Sequence, residues 1–157
     1  MLEACRVEAV DSIFDVEAAG RLLTESFAPW VQELGLKVET VEAGRPPGAP
    51  TDWQPGAVLR LPFSPSICHG SGAVCGQSLM ALADTSMVLA CAAAWNGYRP
   101  MTLIDQTMHF LRPVTFDVVS DARMVRIDHR TSFGRAMLYS AVDKRPVGMV
   151  ASAYATA

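Results

Sequence analysis

The chain has 157 residues, a length that fits one domain, and half of its residues are apolar while 18% are charged. This composition excludes an intrinsically disordered protein, since disorder needs low hydrophobicity and high net charge. The net charge of -3 and the lack of a basic stripe argue against a nucleic-acid-binding protein, which usually carries a basic patch. Residues 1–8 are too charged for the apolar core of a signal peptide, so we expect a cytoplasmic protein.

The first half of the chain predicts one helix and two strands. Apolar residues at three- and four-residue spacing predict a helix over residues 15–34, which Pro29 breaks or kinks. Gly35 ends this helix. Two segments of alternating residues, 36–42 and 57–63, then predict strands on either side of a proline-rich loop.

The second half predicts one long helix followed by strands. A loop rich in Gly, Ser and Cys leads into a helix over residues 77–95, which Asn96 and Gly97 end. Four strand-like segments follow, at residues 101–111, 116–127, 133–142 and 147–154. Their short connections favour antiparallel neighbours. We therefore predict a single α+β domain over residues 1–157, with an N-terminal helical segment at residues 1–33.

Asp84 is the only ionisable residue of the long helix, apart from its cysteine. From Leu79 to Trp95 this helix is apolar on nearly all sides, which predicts burial all round, and Asp84, Thr85 and Ser86 in its middle argue against a membrane span. A carboxylate in such surroundings needs a raised pKa or a specific partner. Two interpretations follow: Asp84 keeps the helix in register within a polar crevice, or it faces a ligand cavity.

Gly76, at the start of this helix, favours the second interpretation. The first N–H groups of a helix are unpaired and lie at its positive end, where they can polarise a carbonyl oxygen. A glycine lets a substrate approach the backbone closely. Asp84 follows Gly76 by eight residues, a little over two turns, which predicts that both lie along one face. An oxyanion donor and a carboxylate facing one cleft suit hydrolysis of an activated ester.

The segment Gly76-Gln-Ser-Leu-Met-Ala-Leu-Ala-Asp84-Thr, with the later Phe110-Leu-Arg-Pro113, resembles the hotdog thioesterases of the phenylacetic-acid-degradation (PaaI) type. The resemblance covers about residues 34 to 156. It implies a hotdog fold, in which an antiparallel β-sheet wraps around one long central helix, with the active site at a dimer interface. It also implies an acyl-CoA thioesterase that works as a homodimer or a dimer-of-dimers tetramer, without a membrane partner.

By position, the resemblance makes Asp84 the catalytic carboxylate, acting as nucleophile or as base toward water, and makes Gly76 the glycine whose N–H polarises the thioester carbonyl. The chain departs from the family pattern at three places. Cys75-Gly76-Gln77 stands where the family has His-Gly-Gly, and the upstream Asn or Gln falls on His69. We expect His69 to orient water or hydrogen-bond the thioester oxygen.

The third departure lies on a later strand, where the family's Ser or Thr aligns with Leu103, next to Thr102. The residues implied to contact the substrate are therefore Cys75, Gln77, Thr85, Thr102 and Leu103. Arg112 and Arg130 are candidates for the phosphates of coenzyme A, since Arg suits phosphate well. As a hypothesis, Met80, Met87 and Leu103 line an acyl channel, which would favour medium-chain or aromatic acyl groups.

Three alternatives stay open at this point. Cys75, His69 and Asp84 can be assembled into a cysteine-nucleophile site. The changed residues around Gly76 leave room for a non-catalytic acyl-CoA binder or sensor, and a hydratase would need a catalytic histidine, for which only His69 is available. Cys68-His69 followed by Cys75 lacks the paired Cys-x-x-Cys spacing of zinc sites. We therefore expect no metal and no cofactor other than the coenzyme A of the substrate. The four cysteines, which include Cys5 and Cys91, are expected to be reduced.

Overall fold

The computed structural model of the chain describes residues 13–156, so Cys5 and the charged N-terminal residues lie outside it. Two short helices come first, α1 over Val16–Ser26 and α2 over Pro29–Gln32. Pro29 is the first residue of α2, a position where its missing N–H and fixed φ are tolerated. The predicted break at this proline is therefore confirmed. Asp15 caps α1 by accepting a hydrogen bond from the Ala18 N–H.

The remaining elements form one sheet and one long helix. Their bounds are β1 (Lys37–Glu42), β2 (Gly56–Leu61), α3 (Gly76–Trp95), β3 (Met101–Phe110), β4 (Val118–Ile127), β5 (Thr131–Ser140) and β6 (Pro146–Thr156). Each predicted strand and the long helix are present within a few residues of the predicted bounds. The strands lie in the order β1-β2-β4-β5-β6-β3, and every neighbouring pair is antiparallel. This is the predicted α+β architecture.

Helix α3 packs against the inner face of the sheet and forms the centre of the core. The alanines of its second half let the helix approach the strands closely, and Asn96 ends it in the left-handed conformation. Met87 is fully buried and packs against Gly134 of β5, where an added Cβ would lie 2.8 Å from the Met87 Sδ. Met87 therefore belongs to the core and does not line an acyl channel, contrary to the hypothesis from the sequence.

One stripe of α3 is not covered by the sheet, so the prediction of burial all round was wrong. Gln77 and Met80 are exposed, and Asp84 and Val88 are half-buried. These residues recur at three- and four-residue spacing and so lie on one face of the helix. The helix packs under a sheet that ends at the edge strand β3, and beyond this edge no other element of residues 13–156 covers the stripe.

By length and composition alone, α3 would be able to cross a membrane, and it is the one such helix among the described residues. However, 67% of its apolar window is buried inside the fold, as in the core helix of a packed domain.

Candidate functional site

Asp84 has a partner in the last strand. The hydroxyl of Tyr154, on β6, donates a hydrogen bond to the Asp84 Oδ1 at 2.6 Å, a length typical of a charge-assisted bond. Tyr154 is only 1% exposed, and burial followed by the nearby Asp84 carboxylate raises its pKa well above the ordinary value of tyrosine. The predicted need of Asp84 for a specific partner is thus met by a residue that the sequence analysis did not single out.

The N-terminus of α3 is open to a ligand. Its N-cap residue, Cys75, makes no side-chain cap hydrogen bond to the first N–H groups of the helix. The ring of Phe110, at the end of β3, lies against Gly76, so that a Cβ added to this glycine would come within 3.2 Å of the ring. The glycine therefore allows an aromatic side chain to lie directly over the start of the helix.

A cavity of about 390 Å³ opens at this helix end. It brings together three of the predicted site residues, namely Gly76, His69 and Arg112. The rest of its lining is mainly apolar: Val74, Leu79, Phe110, Leu111 and Pro113. A cavity of this size with a few convergent polar groups is typical of a small-molecule site.

Around this cavity, Cys75 and His69 do not form a catalytic pair. The Cys75 Sγ lies 3.2 Å from the Ser78 Oγ, and this hydroxyl lowers the pKa of the Cys75 thiol. His69 is exposed, and its Nδ1 lies 2.8 Å from the Ser71 Oγ within the same loop. The thiol and the imidazole are thus each engaged elsewhere, which disfavours the cysteine-nucleophile alternative.

The other predicted substrate contacts are spread over several surfaces. Gln77 is exposed on the open stripe of α3, whereas Thr85 is 2% exposed and lies in the core. Leu103 pairs with Tyr154 and shares its inner face, while Thr102 lies on the outer face of the sheet. Neither Thr85 nor Thr102 is brought into the cavity.

The two candidate phosphate ligands lie at opposite ends of β3. Arg112 follows the end of this strand and lines the cavity. The Arg130 carbonyl accepts a hydrogen bond from the Thr156 N–H, and Thr156 pairs with Met101 at the strand's start. Ten residues of strand span about 33 Å, so one chain cannot place both arginines around one phosphate.

A polar contact between β3 and α3 was also not predicted from the sequence. The Gln106 Nε2 donates to the Met80 carbonyl at 3.2 Å, and its Oε1 accepts from the Ser152 Oγ at 3.1 Å. This side chain fastens the edge strand to the open stripe of the helix. The sequence alone did not indicate Gln106 or Tyr154, because only the pairing of the strands shows that both side chains point to the inner face of the sheet.

A second hollow, of about 320 Å³, lies between β3, β5 and β6 and contains none of the predicted site residues. Cys68, Cys75 and Cys91 are free thiols, and within residues 13–156 no three His, Cys, Asp or Glu side chains are grouped as a metal site would require.

Comparisons with known proteins agree with this architecture. The family model of the thioesterase superfamily matches residues 72–147, and no curated protein matches the sequence. The structure superposes on the Escherichia coli PaaI protein from the phenylacetic acid degradation operon, with a TM-score of 0.72 and 16% identity over 90% of this chain and 93% of that chain.

Two further solved structures are similar. A thioesterase from Haemophilus influenzae has a TM-score of 0.73 and 17% identity over 94% of this chain and 93% of that one. A putative esterase from Mycobacterium tuberculosis has a TM-score of 0.69 and 17% identity over 83% of this chain and 97% of that one. The predicted hotdog fold and the resemblance to PaaI-type proteins are confirmed.

Proposed function

We propose that this chain, whose residues 72–147 match the family model of the thioesterase superfamily, hydrolyses acyl-CoA thioesters with the Asp84 carboxylate and the Gly76 amide. The observation that carries the proposal is the cavity at the uncapped N-terminus of α3, where Gly76, His69 and Arg112 meet. The substrate is a free acyl-CoA, and no cofactor or metal takes part in the proposed chemistry.

The helix end supplies the electrophilic half of the reaction. A thioester carbonyl in the cavity accepts a hydrogen bond from the Gly76 N–H, at the positive end of α3. Negative charge develops on this oxygen as the carbonyl carbon becomes tetrahedral, so the interaction is stronger in the transition state than in the ground state. His69 lines the same cavity, where it can donate a second hydrogen bond.

The carboxylate supplies the nucleophilic half. In one route Asp84 takes a proton from water, and the resulting hydroxide attacks the thioester carbon. In the other, Asp84 attacks this carbon itself and expels the coenzyme A thiolate, and water then hydrolyses the mixed anhydride. Both routes consume one water and release a carboxylic acid and coenzyme A.

Gly76 and Asp84 must contact the same thioester, but within one chain they lie too far apart to do so. Eight residues of continuous helix place Gly76 and Asp84 about 12 Å apart along the axis and turn them roughly 80° around it. An oxyanion donor and a general base each need contacts near 3 Å. We therefore propose that Gly76 of one chain works with the Asp84 of a second copy.

The edge strand β3 provides the contact for this second copy. Its outer edge pairs with no other strand of residues 13–156, and it carries the exposed apolar side chains Leu103, Ile104 and Phe110. An exposed, apolar edge of this length is a template for pairing with another strand. Antiparallel pairing of two β3 strands about a two-fold axis extends the sheet across both copies.

The same pairing brings the two halves of the site together. Phe110, at one end of β3, contacts Gly76, whereas Leu103, near the other end, pairs with the Tyr154 that holds Asp84. In an antiparallel pair, the Phe110 end of one strand lies beside the Leu103 end of its neighbour. The cavity of one chain thus faces the partner's Asp84.

Ligand recognition follows from the same arrangement. The apolar lining of the cavity suits an acyl group of medium length or an aromatic one. Arg112 lies in the cavity wall, and pairing through β3 brings the partner's Arg130 toward the same end, so that both arginines are available to the phosphates of coenzyme A.

The test is release of coenzyme A from a panel of short, medium, long and aromatic acyl-CoAs, with the protein's four cysteines subtracted as thiol background. We expect turnover that falls at least about a hundredfold in Asp84→Asn. The matched control is Asp52→Asn, which removes an exposed carboxylate from the loop between β1 and β2 and should leave turnover unchanged. An active Asp84→Asn protein contradicts the mechanism.

The second candidate is a non-catalytic acyl-CoA binder, favoured by the replacement of His-Gly-Gly by Cys75-Gly76-Gln77. This candidate is supported if calorimetry shows that acyl-CoAs bind while no acyl-CoA of the panel is hydrolysed.

A further inference from the structure

Tyr154 combines two properties that simple packing does not require. Its ring is among the largest fully buried side chains of the protein, and its hydroxyl lies on the Asp84 Oδ1. Phenylalanine would fill the same space without bringing a polar group into the interior, which costs free energy unless the group is hydrogen-bonded. The hydroxyl here is bonded to the one carboxylate of α3.

The bond engages only one side of the carboxylate. Asp84 is half-buried on the open stripe of α3, and among the described residues only Tyr154 donates a hydrogen bond to its side chain, at Oδ1. The Oδ2 is left for water or for the acyl carbon. Because burial and the Asp84 charge keep the phenol protonated, Tyr154 remains a hydrogen-bond donor throughout the working pH range.

Few other titratable groups face this pair. On the inner side, α3 contributes Cys91, whose own pKa is raised by burial to about 12, so that it is a neutral thiol. The nearest charged residues of the neighbouring strands occupy outward positions of the sheet: Asp105, His109 and Arg135. Among residues 13–156, the Tyr154 hydroxyl is therefore the polar contact that fixes the position of the Asp84 carboxylate.

We propose that Tyr154 is the positioning residue of Asp84, holding Oδ1 so that Oδ2 faces the reacting atoms. The inference rests on the proposed function, because it assigns to Asp84 the role of nucleophile or base. It adds that the last strand of the fold, not the helix alone, sets the orientation of this group.

The test compares Tyr154→Phe with Tyr139→Phe, which removes the hydroxyl of a half-buried tyrosine on β5. In Tyr154→Phe, kcat should fall about ten- to a hundredfold while KM changes less than about twofold, since the lost bond is charge-assisted and lies on the reacting group. Tyr139→Phe should change neither.

Two measurements separate this inference from the proposed function. In the Asp84→Asn background, Tyr154→Phe should cause no further loss of activity, because the hydroxyl acts through the carboxylate. A crystal structure of Tyr154→Phe should show the Asp84 carboxylate displaced from its wild-type position, even in a protein that hydrolyses nothing.

The outcomes are distinct. If Asp84→Asn abolishes turnover while Tyr154→Phe lowers only the melting temperature, with kcat and the position of the Asp84 carboxylate unchanged, the positioning role is overturned and the proposed function survives. An active Asp84→Asn protein overturns the proposed function, and the crystal structure still decides whether Tyr154 positions Asp84. If Tyr154→Phe does not fold, 3-fluorotyrosine in a Tyr98→Phe, Tyr139→Phe protein changes the strength of the same donor, and kcat should then change more than KM; an unchanged kcat overturns the role.

Discussion

The two edges of the sheet are built differently. At one edge, β1 is six residues long, carries a bulge between Val38 and Thr40, and has the charged residues Lys37, Glu39 and Glu42 along it. At the other edge, β3 is ten residues long and exposes apolar side chains, with Ile104 58% exposed. Both edges carry a bulge, since β3 has one between Leu103 and Asp105, so the difference lies in length and charge. Short, charged edges resist pairing with other chains, whereas long apolar edges invite it.

The residues behind each edge differ in the same way. Behind β1, Arg60 pairs with Glu39 and Arg123 pairs with Glu42, so the edge is fastened to its own sheet. Behind β3 lie the open stripe of α3, Asp84 and the cavity at Gly76. The contrast supports the proposal that the site lies behind the edge that residues 13–156 of a single chain leave uncovered.

The largest effect is expected from breaking each half of the proposed shared site separately. Gly76→Pro deletes the backbone N–H at the first position of α3. Proline is tolerated at this position of a helix, and the extended φ and ψ of Cys75 are those of a residue that precedes proline. This variant and Asp84→Asn should each lose about a hundredfold or more in turnover. A purified heterodimer of the two variants contains one intact composite site and should recover about half of wild-type turnover.

Gly76→Ala is the matched control, because it adds a side chain next to Phe110 but keeps the N–H. It should retain far more activity than Gly76→Pro. A heterodimer as inactive as its parents would mean that Gly76 and Asp84 act within one chain, and the β3 edge would then have no catalytic role.

Placing a charge on either edge strand is expected to have a smaller effect on turnover. Ile104→Lys puts a charge on the exposed apolar edge that the second copy would cover, so the dimer should dissociate at concentrations about a hundredfold higher than in the wild type. Sedimentation would show the 16.9 kDa chain alone, and turnover should fall with the dimer fraction. Thr40→Lys, on the exposed β1 edge, should leave the mass unchanged. Equal effects of both substitutions would remove the distinction between the edges.

The sequence predicted the fold well because its signals were local. The apolar run ending at Asn96-Gly97, the alternating strands and the break at Pro29 all depend on residues close together in the chain, and all are present in the structure. The Gly76-to-Asp84 segment also indicated the family, because its residues lie on one continuous helix.

The rest of the candidate site depended on strand pairing, which the sequence does not specify. Tyr154 lies 70 residues from Asp84 and reaches it only because β6 lies beneath α3. Met87 was expected near the ligand but packs against Gly134, a contact visible only from the register of β5. The open stripe of α3 was missed because composition alone does not show where the sheet ends.

The smallest expected effect concerns the charged edge, through Arg123. Its side chain is 21% exposed, its Nε donates to the Asp121 Oδ1 at 2.6 Å, and it also pairs with Glu42 of β1. Arg123→Met keeps most of the apolar stem but leaves two carboxylates to water, which should cost about 1–2 kcal/mol of unfolding free energy.

For a chain of this size, that loss lowers the melting temperature by roughly 2–8 °C in calorimetry. Arg126→Met removes an exposed arginine that, within residues 13–156, pairs only with Asp128, and it should change the melting temperature by less than about 2 °C. Dimer mass and turnover should stay unchanged in both variants, because the ion pairs at β1 close an edge within one chain. A loss of turnover in Arg123→Met with the fold intact would show that the charged edge also contributes to the site, and the contrast between the two edges would fail.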